Sequence, residues 1–175
     1  MEDFILIRPT NEYAEQIAKY RKEFLAVGDS MDGTGPLRRM AEPCEYIRFC
    51  AACEDPATAP EDLVPATQLL FIRTRDDRLV GMLQVRHRLN DHLESFGGHV
   101  GYSVRPCERR KGYAKEMLKK ALPFCKEIGL EKLLITCADG NVGSEKAILA
   151  NGGVYETTVF EQSRNLKLKR FWIAL

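Results

Sequence analysis

Residues 107–121, CERRKGYAKEMLKKA, crowd three cations, Arg109, Arg110 and Lys111, in front of Gly112 and a helical pattern. Met117, Leu118, Ala121, Leu122 and Cys125 fall on one face of that pattern, and Gly129 stops it. The N-terminal end of a helix is already the positive pole of its macrodipole. Cations there cost a few tenths of a kcal/mol unless an anion faces them. A glycine at the first turn leaves no Cβ between a ligand's oxygens and the free backbone N–H groups. Strand, basic loop, glycine and helix in this order make an anion cradle. The spacing is that of neither a P-loop, Gly-x4-Gly-Lys-Ser/Thr, nor a GxGxxG dinucleotide fingerprint.

On the N-terminal side, FILIR (4–8) reads as a short strand ended by Pro9. Thr10 then caps a helix to about Val27, with Tyr13, Ile17, Tyr20, Phe24 and Val27 at three- and four-residue spacings and Gly28 as its stop. GDSMDGTGPL (28–37) is a glycine-rich loop, 37–53 a weaker helical stretch, and PATAPEDLVP (56–65) a connector. The period then becomes two. ATQLLFIRTR (66–75) and LVGMLQVRHRL (79–89), joined at Asp76-Asp77, form an antiparallel hairpin. After a loop over 90–98 comes the strand HVGYSV (99–104), and after the 112–128 helix the buried strand KLLITCA (132–138). A helix from about Val142 to Ala150 and strands over 153–160 and 166–174 complete an order β-α-α-β-β-β-α-β-α-β-β. This is an α/β chain with a mixed α+β sheet, and 1–175 reads as one domain.

Composition narrows the function. The 175 residues are 45% hydrophobic and 29% charged, with a formal net charge of +1. That balance offers no broad basic field for nucleic acid. No apolar run approaches the roughly 18 residues of a membrane span, and MEDFILIRP lacks the basic region and cleavage site of a signal peptide. A cytoplasmic protein is expected, its six cysteines free thiols. Cys50 and Cys53 form a lone CxxC pair without a second, so no metal site is expected.

The stretch GYSVRPCERRKGYAKEML, followed by a buried strand and by Asn141-x-x-Ser144 at the start of the next helix, resembles the GNAT N-acetyltransferase superfamily. Arg109, Gly112 and Ala114 match its Arg/Gln-x-x-Gly-x-Gly/Ala signature, and GGHVGYSVRP and ANGGV resemble a bacterial subgroup of acetyltransferases. The resemblance covers residues 66–155 and, in element order, the first strand and helix; residues 28–65 carry none of it. It implies the GNAT acyl-CoA N-acyltransferase fold and acetyl-CoA as co-substrate. The pantetheine arm would lie along Tyr102, Ser103 and Val104, as an added strand does. The pyrophosphate would sit on backbone N–H groups of the run Arg109, Arg110, Lys111, Gly112, Tyr113, Ala114 and Lys115, and Asn141 and Ser144 would touch the arm.

Acetyl transfer needs a neutral amine, a stabilised oxyanion and a protonated leaving thiolate. A backbone N–H near Val104 would hold the oxyanion and Ser144 would solvate the thiolate. Asn141 also suits a helix N-cap. Many members of the family place a tyrosine acid seven residues after that asparagine; here the position is Ile148, and the nearest tyrosine in sequence is Tyr155, whose plainer reading is a strand aromatic. For the base, His99 ranks first and Glu94 second, with His87 and His92 also nearby. Asp29 and Asp32 would hold a cationic acceptor if their loop folds over the cleft. The function expected is acetyl transfer to a primary amine of a small molecule or peptide. A non-catalytic acyl-CoA sensor or scaffold is the alternative, and a homodimer is left open.

Overall fold

The structure, a computed structural model, describes residues 3–175. Its seven strands and four helices follow the expected order. The strands are β1 Phe4–Ile7, β2 Ala66–Arg73, β3 Arg78–Arg86, β4 Val100–Val104, β5 Lys132–Ala138, β6 Val154–Glu161 and β7 Leu166–Ala174. The helices are α1 Ala14–Val27, α2 Pro43–Glu54, α3 Tyr113–Glu127 and α4 Val142–Leu149. All strand pairings are antiparallel and fall in two sheets, β1-β2-β3-β4 and β5-β7-β6.

Strand β2 shows why the first sheet is sandwiched. Its period-two pattern sends Leu69 and Phe71 to a core shared with α3 and Leu70 and Ile72 to one shared with α1 and α2, so the strand is buried on both faces. On α3, Met117, Leu118, Ala121 and Cys125 are fully buried, the face the spacing predicts. Gly28 ends α1 in the left-handed conformation, as expected of a C-cap. Three boundaries differ. Thr10 makes no side-chain cap and precedes a 3-10 turn over Asn11–Tyr13. The helical reading from residue 37 begins only at Pro43, which takes the first-turn position prolines favour. Residues 93–97 of the expected loop form a wide helical turn closed by Gly98 N–H on the Leu93 carbonyl. Among the described residues no helix is long and apolar enough to cross a membrane.

The glycine-rich loop packs on β4 through two glycines. A Cβ on Gly33 would lie 2.1 Å from the Gly101 carbonyl oxygen, and its φ of 71° is left-handed. Gln68 donates to the Gly33 carbonyl at 2.8 Å and Tyr46 to the Thr34 carbonyl at 2.9 Å, pinning the loop to β2 and α2. Gly33→Ala is therefore expected to displace the loop and cost about 2 kcal/mol, which lowers the melting temperature by about 5 °C. A thermal melt by circular dichroism checks it.

Candidate active site

β4 and β5 meet at one seam and then part. Gly98 bridges Ile135, the His99 N–H donates to the Leu134 carbonyl at 2.7 Å, and the Leu134 N–H donates to His99 Nδ1 at 2.9 Å. Only glycine fits at 98, where a Cβ would lie 2.4 Å from the Leu134 oxygen at a φ of 69°. Past the seam β4 pairs with β3 alone. The bonds Arg86 N–H to His99 O and Arg105 N–H to Val80 O set the alternation of that ladder. Tyr102 and Val104 therefore point their backbone groups at the gap. A cavity of about 910 Å³ fills it, walled by β4, by Thr136–Ala138, by the starts of α3 and α4, and by the loop around Asp32.

At one end of the cavity stands the N-terminus of α3. Gly112 occupies the N-cap with φ 82° and no side chain caps the helix there, so its first N–H groups have no side-chain acceptor. Nothing lies within 4 Å of where a Gly112 Cβ would be. Arg110, also left-handed at φ 64°, curls the loop before it. The sequence aims all three cations at an anion; the structure changes that. Glu108, 4% exposed, receives Lys111 at 2.7 Å, Arg73 at 3.0 Å and Arg78 at 3.0 Å. Burial pushes its carboxyl pKa up, but the bonds from Lys111 and Arg73 outweigh this and hold it below the usual range. Arg109 pairs with Asp29 at 2.5 Å and donates to the Val104 carbonyl at 3.2 Å. Arg110 alone of the three has no ion-pair partner among the described residues, so the end remains net positive.

In the middle, Tyr102 and Ser144 face each other with hydroxyls 2.8 Å apart. Ser144 sits in the first turn of α4, whose N-cap Asn141 accepts the Ser144 N–H at 3.1 Å, a cap worth about 1 kcal/mol. Cys137 on β5 lines the same wall, its thiol pushed up to about 11 by burial. Ile148, where the tyrosine acid of many family members would stand, is fully buried in the core. Tyr155 is a strand aromatic on β6, half exposed, its ring edge-on to the core residue Phe171 and its hydroxyl bonded to Thr158, outside the cavity wall.

On the loop side, Asp29, Ser30, Asp32 and Gly33 border the cavity with Arg86. Ser30 donates to Asp32 at 2.9 Å. Arg86 is tied to the Gly97 and Gly98 carbonyls at 3.2 and 3.0 Å and faces the field of Asp32. Sequence reading missed Arg86, which looks like any strand arginine, and Glu108, hidden among cations.

Of the base candidates, none lines the cavity. His99 is 8% exposed with Nδ1 already accepting from Leu134, so the ring ranked first is a seam residue. Burial, then the Arg86 and Lys132 charges, lowers its pKa. Glu94 is exposed on the helical turn, and its carbonyl receives Arg170. The His92 ring lies tilted against Phe96, and His87 bonds Thr67 at 2.8 Å.

Residues 4–154 match the family model described as an acetyltransferase (GNAT) domain. The chain belongs to the GNAT acetyltransferase family. It is an acetyl-CoA-dependent N-acetyltransferase, and the reading as a non-catalytic sensor finds no support in the likenesses. No curated protein matches the sequence. Among solved structures, a ribosomal-protein-S5-alanine acetyltransferase from Vibrio fischeri is 14% identical, with a TM-score of 0.75 over 99% of this chain and 94% of that one. Mycobacterium smegmatis RimJ, in complex with CoA-disulfide, is 16% identical, with a TM-score of 0.70 over 98% of this chain and 81% of that one. Mutant forms of the spermidine/spermine N-acetyltransferase SpeG from Vibrio cholerae are 15% identical, with a TM-score of 0.64 over 98% and 95%. At these identities the likeness is one of fold.

The seam gives a pH prediction. A histidine with a lowered native pKa binds fewer protons folded than unfolded, so stability falls as pH drops below about 6.5. His99→Asn keeps an acceptor for Leu134 but cannot titrate, and is expected to flatten the slope of unfolding free energy between pH 7 and 5. His87, also lowered by burial, keeps part of the slope in that variant. Urea melts across that range measure the change.

Proposed function

We propose that the gap between β4 and β5 holds acetyl-CoA, with its pyrophosphate on the first-turn N–H groups of α3 from Tyr113 to Lys115. The observation that supports this best is that one cavity joins the free edge of β4 to the uncapped N-terminus of α3. The pantetheine arm pairs with the edge groups of Tyr102 and Val104 as an added strand does. The thioester then lies beside Ser144, and the Val104 or Tyr102 N–H meets the developing oxyanion. Arg110 and the partly neutralised Arg109 and Lys111 supply the field. Asn141 keeps the α4 start in place.

The acceptor is a primary amine of a small molecule or a peptide. It enters on the loop side, where Asp32 is the carboxylate not committed to an arginine and Arg86 offers a cation. That pairing suits an ammonium with a carbonyl or carboxylate oxygen nearby, as at a peptide N-terminus. With His99 and Glu94 outside the cavity, the ammonium proton leaves to Asp32 or to water ordered by it. A single-domain cytoplasmic enzyme fits this reading.

A second copy of the chain is the partner that β6 fits. It is a sheet edge exposed on both faces, with Val154 68%, Tyr155 51% and Phe160 50% exposed. Read in the opposite direction, VYETTVF again places apolar residues at both ends and polar ones in the middle, so two copies can pair antiparallel.

The test is acetyl-CoA turnover against a panel of peptide N-termini, amino acids and polyamines, read as release of the CoA thiol. Turnover with at least one amine class is expected. Binding of acetyl-CoA with no turnover on any would overturn the reading as an enzyme. Asp32→Asn is expected to raise the acceptor KM about tenfold while leaving acetyl-CoA affinity within twofold. Gly112→Asp puts a carboxylate against the pyrophosphate at a site with room for its Cβ. Acetyl-CoA affinity is expected to fall about 100-fold or more, worth about 3 kcal/mol, with the melting temperature lowered by a few degrees because the left-handed φ of 82° costs a side chain about 1 kcal/mol; wild-type affinity of the folded variant would remove the cradle assignment.

A further inference from the structure

We propose that the acceptor is a free α-amino acid with an apolar side chain, its carboxylate held by Arg86, its ammonium by Asp32 and its side chain by the wall at Phe96 and Val100. The proposal narrows the acceptor reading given above and rests on it. Its starting point is a cation without a counter-ion. Among the described residues no carboxylate forms an ion pair with Arg86. Two other arginines on the cavity wall are matched within the protein, Arg109 by Asp29 and Arg164 by Glu161, and Arg110 is exposed at the cradle. Arg86 is half-buried. Burial lowers its pKa, and only the field of Asp32 acts the other way. An arginine drawn out of water is costly unless an anion pairs with it.

The guanidinium is also only half used. Nη1 donates to the Gly97 and Gly98 carbonyls at 3.2 and 3.0 Å, while Nε and Nη2 have no acceptor among the described residues. Gly101 pairs with Gln84, two residues before Arg86, so Arg86 and Gly101 share one face of the sheet. Nη2 stands 3.6 Å from where a Gly101 Cβ would be, and Gly33 packs there without a side chain as well. The free donors of the guanidinium match a carboxylate as a fork, whereas the carbonyl of a peptide bond is neutral and leaves the charge unpaired. Asp32, bonded to Ser30 and to no arginine, supplies the opposite charge. An α-amino acid carries both charges on one carbon, and its side chain then turns to Phe96, Gly97 and Val100, which carry none. In the reaction the amine nitrogen bonds the thioester carbon, and the carbon–sulfur bond breaks with its electron pair going to sulfur. Of the two protons that the ammonium gives up, one ends on sulfur and one in solvent. The products are an N-acetyl amino acid and CoA thiol.

A series on one skeleton tests this. L-leucine, L-leucinamide, L-leucyl-glycinamide, isopentylamine and L-aspartate are each assayed with acetyl-CoA for release of the CoA thiol, and kcat/KM is compared per concentration of free amine. Leucine is expected to exceed the three compounds without a carboxylate by about 30-fold or more, the loss that follows when one partner of a close charge pair is removed. Aspartate, charged where leucine is apolar, is expected about tenfold below leucine. Arg86→Gln should lower kcat/KM about 30-fold for leucine and less than threefold for leucinamide, with acetyl-CoA affinity by calorimetry within about twofold of wild type. Arg86→Lys keeps the charge without the fork and should recover part of the loss on leucine. Leucinamide or leucyl-glycinamide turned over as well as leucine, or equal losses on leucine and leucinamide in Arg86→Gln, would overturn the amino-acid assignment while leaving the enzyme standing. Aspartate as good as leucine would overturn the apolar wall. Protein that binds acetyl-CoA and acetylates none of these amines, nor any other, would remove the reading as an enzyme and this one with it.

Discussion

The site depends on a seam only two residues wide. Gly98 and His99 fasten β4 to β5 at Leu134 and Ile135, and nothing in the ladder fastens them further along. Had the sheet continued, the edge groups of Tyr102 and Val104 would be satisfied by β5 and no cavity would exist. An open seam leaves the edge N–H groups of Tyr102 and Val104 without a ladder partner on a half-buried strand, while the Val104 carbonyl is taken by Arg109. A chain keeps such an edge where a ligand strand completes it. His99 is thus central to the architecture rather than to the chemistry: its ring extends the seam by one bond that backbone alone would not make.

Charge is arranged around the same gap. A buried carboxylate, Glu108, gathers Arg73, Arg78 and Lys111 under the cradle loop. Arg73 and Glu108 are the buried pair of the cluster, and removing Arg73 would leave the Glu108 carboxylate without its buried partner, whereas Lys111 and Arg78 reach it from solvent. The cluster fixes the loop that ends in Gly112, while Asp29 ties Arg109 to the loop over the acceptor end. The opening puzzle of cations at a helix N-terminus has a divided answer: part of the charge holds the loop in shape, and the remainder, with the free N–H groups, faces the cavity.

Much of this was legible in the sequence. Period two in 66–89, the single apolar face of α3 and the glycines at 28, 112 and 129 report local constraints, and local constraints are written in adjacent residues. Gly112 and Asn141 were legible for the same reason. What escaped depends on residues far apart in the chain. Sequence cannot distinguish a histidine in a cleft from one clamped on Leu134, 35 residues away. Nor does it bring Tyr102 to Ser144, 42 residues on, or lay Gly33 on Gly101. A signal for the last contact was present in the glycines of DGTG and of VGYSV, which pack where neither chain has a Cβ, but only the fold pairs them.

The most direct measurement is a calorimetric titration with acetyl-CoA, repeated with CoA lacking the 3′-phosphate. Micromolar binding, about 8 kcal/mol, that survives loss of the 3′-phosphate is expected, since the groups assigned to recognition face the pyrophosphate and the pantetheine arm. Folded protein that binds neither compound, or that binds only through the 3′-phosphate, would contradict the cradle at the start of α3 and with it the assignment of the cavity.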